Sequence, residues 1–125
     1  MQTLKRITNP DKNGFILLDN ILGVMRYAMH SPLFRGARIR NCFGKVILDL
    51  RQTRPETDET YIYLRCIVGK IILYVPDGWD IRFQNNAIAC YQNDARIAHG
   101  ASGFEDKKVI LQGFSLLSSI EIIGD

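Results

Sequence analysis

The sequence predicts an all-β domain wound as a short single-chain β-solenoid, a β-helix-like stack of about five glycine-marked rungs. Three observations point there. Similar segments recur at spacings of 21, 25, 20 and 29 residues. Within each segment apolar residues alternate with a period of two, the period of a strand whose side chains point to opposite faces. Between segments stand residues that make turns. A plain β-sandwich is the alternative fold, because alternating strands are common to both architectures.

The first copy is Ile21-Leu22-Gly23-Val24-Met25-Arg26-Tyr27, the second Cys42-Phe43-Gly44-Lys45-Val46-Ile47-Leu48 and the third Ile67-Val68-Gly69-Lys70-Ile71-Ile72-Leu73. Each reads as two apolar residues, a glycine and an alternating run. Two weaker copies follow, Ala87-Ile88-Ala89-Cys90-Tyr91 and Leu116-Leu117-Ser118-Ser119-Ile120-Glu121-Ile122, in which a small residue replaces the glycine. Gly23, Gly44, Gly69, Ala89 and Ser118 are therefore the markers, and loops absorb the uneven spacing. A second strand precedes the marker in four copies, at Phe15 to Asp19, Gly36 to Arg40, Thr60 to Arg65 and Lys108 to Gln112. Two strands thus meet at each corner. A glycine belongs there because a Cβ would clash with the neighbouring rung or forbid a positive φ.

Alternation then assigns the faces. Ile16, Ala37, Ile62 and Leu111 stand seven residues before their markers, and Leu18, Ile39 and Leu64 five before. Met25, Val46, Ile71 and Ile120 stand two after, Tyr27, Leu48, Leu73 and Ile122 four after, and Met29, Leu50 and Val75 extend that column. The columns after the marker face inward. Arg26, Ile47, Ile72 and Glu121, at the third place, face outward.

Asn9-Pro10-Asp11 and Asn13-Gly14 close a polar N-terminal arm, residues 1–13, ahead of a single domain over 14–125. Arg54-Pro55-Glu56-Thr57-Asp58 separates two rungs, Pro76-Asp77-Gly78 ends a strand, and the polar stretch 92–107 is expected to protrude as a loop. Ile21 to His30 has some helical look, but its β-branched residues and its match to the other copies make it a strand.

A chain of 125 residues, 46% hydrophobic and 23% charged, is one globular domain with enough core to fold without a staple. Sixteen basic and 13 acidic residues are too interspersed to mark a nucleic-acid binder, and Arg35, Arg38, Arg40, Arg51 and Arg54 read as a solvated strand face, with an anionic partner as the lesser alternative. Cys42, Cys66 and Cys90 form an odd set without CxxC spacing, which predicts reduced thiols in the cytoplasm and neither zinc nor disulfides. No run of 18 apolar residues offers a direct membrane span, and no signal peptide opens the chain.

The repeated apolar-Gly-x-apolar-x-apolar pattern, followed after its third copy by Val75-Pro76-Asp77-Gly78-Trp79-Asp80-Ile81, resembles the C-terminal domain of the LiaF-like cell-wall-active antibiotic response proteins. Phe34-Arg35-Gly36-Ala37 and the closing segment Ser115 to Ile122 are similar too, so the resemblance spans roughly residues 15–124. It implies a regulatory domain of bacterial envelope-stress signalling that acts through protein contacts and carries no catalytic residues. The family's members carry membrane helices ahead of this domain, whereas this chain shows none. Its later copies also have Ile88-Ala89 and Leu117-Ser118 where the family has Phe-Gly.

No residue pattern spells out an active site. His30 and His99 stand in turns, away from any nucleophile held by a carboxylate. Asp77 with Asp80, and Glu105 with Asp106, are explained by turn formation and solvation, and Asn93-Asp94 does not complete a calcium loop. Gly44-Lys45 and Gly69-Lys70 lack the remainder of a phosphate-binding loop, leaving both lysines as outward strand residues. The expected function is therefore a non-enzymatic protein-interaction or regulatory domain, without cofactor or metal. Its contact surface is expected at Arg26, Ile47, Ile72, Tyr74 and Trp79, where Tyr61 and Tyr63 add aromatic area. The expected partner is a protein, nucleic acid is not, and a second copy could pair with the solenoid ends or the outward face. The chain is expected in the cytoplasm, reaching the membrane only through a partner. The alternative is a carbohydrate-binding solenoid in which Trp79, the tyrosines and Asp77 or Asp80 line one groove; otherwise Trp79 caps a corner.

Overall fold

A computed structural model of the chain describes residues 4–8, 15–29, 33–55, 59–76, 79–94 and 108–124. The elements are β1 (Leu4–Thr8), β2 (Phe15–Ala28), β3 (Leu33–Phe34), β4 (Gly36–Asp49), β5 (Arg54–Pro55), β6 (Glu59–Tyr74), β7 (Asp80–Phe83), β8 (Asn86–Ile88), β9 (Tyr91–Asp94) and β10 (Lys108–Ile123). Every described element is a strand, as expected, and the stretch after Ile21 continues β2. Eight strands form one sheet in the order β1-β2-β4-β6-β10-β7, with β8 and β9 also paired to β10, while β3 and β5 form a separate pair. Among the described strands only β1 and β2 run antiparallel; the other described pairings are parallel. The antiparallel sheets of the sandwich alternative are not what the chain builds. Part of the polar N-terminal arm is itself a strand, β1. The turns at 9–14 and 56–58, Asp77-Gly78 and most of the expected loop, 95–107, lie outside the described residues.

The two strands expected in each copy are one bent strand. In β2, β4, β6 and β10 the pairing continues past the corner in unchanged register, skipping one residue or two. Leu22, Phe43, Val68 and Leu117 sit at those corners with φ between 49° and 64°. The left-handed turn therefore falls on the apolar residue before the marker, although Gly23 also has positive φ. In a left-handed conformation Cβ crowds the following carbonyl, which costs roughly 1–2 kcal/mol per residue, and a β-branched side chain such as Val68 is an outlier there. Gly44 and Gly69 are needed for close approach instead. A Cβ on Gly44 would lie 2.6 Å from the Gly23 carbonyl oxygen, and one on Gly69 would strike the Gly44 carbonyl oxygen.

Stacking order departs from chain order. Residues 80–94 follow β6 in sequence, yet β10 lies between them and β6. β7, β8 and β9 keep one register with β10 and together make the last tier. The 28-residue offset on either side of its corner aligns Ala89 with Leu117 and Cys90 with Ser118. The marker in that copy is thus Cys90, one residue later than expected, and Ala89 is the left-handed residue, with φ 53°. With small residues at both places and no glycine, the sequence pattern could not set this frame.

The columns after the marker face inward as expected, and those before it, to which the sequence assigned no face, do so as well. Ile16, Ala37, Ile62 and Leu111 are fully buried in register with one another. Leu18, Ile39 and Leu64 follow, then Met25, Val46, Ile71 and Ile120 beyond the corner, and both arms feed one core cluster. Tyr27 is only partly buried against that cluster. Each fully buried aliphatic side chain stabilises the fold by about 1.5–3 kcal/mol. Past the strand ends, Met29 N–H donates to Asp49 O at 3.0 Å, Leu50 N–H to Tyr74 O at 2.7 Å and Val75 N–H to Ile123 O at 2.9 Å, so the ladder carries their column onward.

Inside the corner the core turns polar. Asn20, Asn41, Cys66 and Ser115 are buried and stacked in register. Asn20 Nδ2 donates to Asn41 Oδ1 at 2.9 Å and to Gly23 O at 3.1 Å. Asn41 Nδ2 donates to Gly44 O at 2.8 Å and lies 3.4 Å from Cys66 Sγ. Each asparagine thereby satisfies a carbonyl that the bend removes from the regular ladder, and buried carbonyls left unpaired are costly. Ser118 continues the function one tier on, its hydroxyl 3.0 Å from Cys66 O. Burial pushes the Cys66 thiol pKa up, and hydrogen bonds from Ser118 and Asn41 pull it partway back.

Gly69→Ala forces a methyl against backbone and is expected to lower unfolding free energy by about 2–3 kcal/mol. Val68→Asn, which suits a left-handed residue, is expected to raise it by about 1 kcal/mol. Urea denaturation of the pair decides the assignment; a stabilising Gly69→Ala would refute it. The cysteines make a second expectation. Cys42 and Cys90 are half-buried and Cys66 is buried, so a thiol reagent should modify two sites in the native protein and reach Cys66 only in denaturant.

Candidate functional site

The residues expected to form a contact surface separate. Arg26 is exposed and Ile47 half-buried, neighbours in register on the outer face of the second arm. Ile72 continues that column but is only 7% exposed, and Trp79 only 4%, so neither belongs to an accessible surface. Trp79 instead packs into the core cluster, its ring stacked on Phe34 with centroids 5.8 Å apart. That is closer to the capping role than to a ligand platform. Tyr74 lies half-buried in register with Asp49, and Arg51, which bonds Asp49 at 2.8 Å, rests 5.0 Å above its ring. Tyr61 and Tyr63 do stack, with centroids 6.3 Å apart, but on the first arm, across the corner from Tyr74.

Of the residues weighed for chemistry, Asp80 and Lys70 have structural partners instead. Asp80 is bound by Arg82 at 3.0 Å, and Asp77, His30, His99, Glu105 and Asp106 lie outside the described residues. Trp79 is buried in the core, and Tyr61 and Tyr63 stand across the corner from Tyr74, so these side chains do not line one groove. Lys45 and Lys70 are outward, as expected, and Lys70 reaches Glu121 at 3.6 Å. Among the described residues no group of three or more histidine, cysteine or acidic side chains could hold a metal ion.

The most exposed apolar surface follows the corner itself. Phe43 (56% exposed), Val68 (37%) and Leu117 (57%) occupy successive tiers, flanked by Ile21, Val24, Ile88 and Tyr91, which are also exposed. Their placement has a simple cause: a left-handed corner residue turns its side chain away from the core enclosed by the two arms. The sequence reading missed this ridge because two apolar residues before a glycine look like buried strand. The readable signal was the glycine, which marks a corner and so denies its predecessor a place inside.

Beside the ridge runs a groove of about 440 Å³ lined by residues 19–21, 40–42, 65 and 67, among them Asp19, Arg40, Cys42 and Arg65. Arg40 and Arg65 are register neighbours on its rim. Arg40 grips Asp19 through two hydrogen bonds, one of 2.9 Å, and that carboxylate raises the guanidinium pKa above its usual value. Arg65 has no such partner among the described residues.

No described helix is long and apolar enough to cross a membrane. Comparison with curated proteins and with solved structures finds no match. Comparison with protein families finds one, over residues 5–121: the family described as cell wall-active antibiotics response LiaF, C-terminal. That match takes in every tier of the sheet, and the chain belongs to the LiaF-like C-terminal family.

Proposed function

We propose that this domain is a non-catalytic regulatory module of a bacterial envelope-stress response, working by contact with a protein partner. The family match over residues 5–121 carries the reading. The architecture we infer behind it is a short solenoid, supported by the in-register parallel stacking of bent tiers around one core. Such a stack offers flat, repetitive faces suited to a protein surface. Of the faces available, the outer second arm around Arg26 and Ile47 fits best, because it mixes apolar and charged side chains on rigid strands. A second copy is a natural companion there. β1 pairs with β2 only from Leu17 to Ile21, so no described strand covers β2 from Val24 onward on that side.

The test is a reporter of the response to a cell-wall-active antibiotic in the native host. Deleting the chain should change the reporter severalfold and the native chain should restore it. Ile47→Lys, half-buried at the surface and tolerable to the fold, should fail to restore it while keeping its urea midpoint. An unchanged reporter on deletion would rule the reading out.

A further inference from the structure

The corner ridge is costly twice over: its residues take a disfavoured backbone conformation and expose apolar side chains to water. Neither cost serves the core, since asparagine or glycine would turn the same corner without either. The ridge is also convex, because both arms wrap their inward residues around one cluster. Phe43, Val68, Leu117 and Ala89 repeat tier by tier, and at a strand spacing of about 4.8 Å the line is roughly 14 Å long.

Basic residues stand on both flanks of the β4 and β6 tiers, and Phe114 and Ser119 hold the same places on β10. Arg40 and Arg65 stand three positions before Phe43 and Val68, and Lys45 and Lys70 two positions after. The acidic residues in these and the adjoining columns are Asp19 and Glu121, each already paired, with Arg40 and with Lys70. Arg65 and Lys45 are left without an ion-pair partner among the described residues.

We propose that this ridge docks the domain on an anionic membrane surface, with Phe43, Val68 and Leu117 entering the interface and Lys45 and Arg65 meeting lipid phosphates. A straight convex row of apolar side chains, flanked by basic residues on its β4 and β6 tiers, matches a flat, negatively charged, apolar-cored surface. A peptide would need walls, which the ridge lacks. The groove beside it, with Arg65 at its rim, can hold a headgroup next to the inserted side chains. Tyr91, exposed on the last tier, is of the type enriched at that depth. This docking is separate from the protein contact proposed above and uses different residues.

Flotation of the purified full chain with vesicles tests it. The native protein should float with phosphatidylcholine–phosphatidylglycerol vesicles and not with phosphatidylcholine alone, and high salt should release it. Phe43→Asn with Leu117→Asn, chosen because asparagine suits the left-handed corner, should keep the fold and weaken binding at least tenfold. Lys45→Gln and Arg65→Gln should each weaken it about fivefold. Failure to float with anionic vesicles overturns the proposal, as does flotation that survives the asparagine pair. So does a native dimer that the asparagine pair converts to monomers without any vesicle binding, or binding to an acidic peptide in place of vesicles. A chain that floats normally but fails the reporter test refutes only the protein-contact reading.

Discussion

Everything in this fold depends on turning a corner at the same place in each tier without losing the backbone hydrogen bonds that the corner interrupts. Two devices solve this together. Asparagines placed three residues before the glycines reach inward to the orphaned carbonyls and to one another. The glycines let the next tier come close enough for those bonds to form. Neither works alone: a Cβ at Gly44 would meet both the Gly23 carbonyl and the Asn20 amide that bonds it. Interdependence of this kind makes the polar column a determinant of register, because slipping a tier by one residue would turn its asparagine to the outer face and leave the carbonyls inside the corner without a donor.

The column also changes along the stack. Asparagine in β2 and β4 gives way to Cys66 in β6 and Ser115 in β10, and Ser118 replaces the glycine. As the interior polar group shrinks, a hydroxyl at the marker takes over part of its work, reaching Cys66 O from the opposite side of the bend. β10 is the tier where this happens, and it is the strand that enters between β6 and residues 80–94. The last long strand in the chain is thus flanked on both sides, and the sheet is complete only when it is in place. Its pairing partners are distant in sequence, a topology in which loop closure is unfavourable until many contacts form at once.

How much of this was readable without coordinates depends on whether a property is local. Strand character, the inward columns and their mutual register follow from period-two alternation, and residues such as Met25, Val46, Ile71 and Ile120 fell where alternation put them. The family was readable from the same glycine-marked pattern. The stacking order was not, since nothing in the alternation of residues 80–94 says that another strand will slip in ahead of them. Nor was the burial of Ile72, or the ring on which Trp79 stacks, Phe34, since both depend on neighbours far along the chain. Asn20 and Asn41 drew no reading from the alternation, and only their alignment three residues before a glycine, in two consecutive copies, carried a signal.

The exposed ridge is best understood as a conflict between levels. A sequence optimised only for folding agrees with itself at every scale, and departures mark places where another demand acts. At the corner, backbone preference asks for glycine or asparagine, and solvation asks for a polar side chain. Phe43, Val68 and Leu117 satisfy neither. The same chain places asparagine three residues before the glycine in β2 and β4, where a carbonyl needs it, so polar residues are available to it at this bend. Repetition of the apolar choice over successive tiers turns an isolated anomaly into a surface, and the basic residues beside it give that surface an electrostatic sign. Its demand therefore comes from outside the fold, from whatever the corner meets.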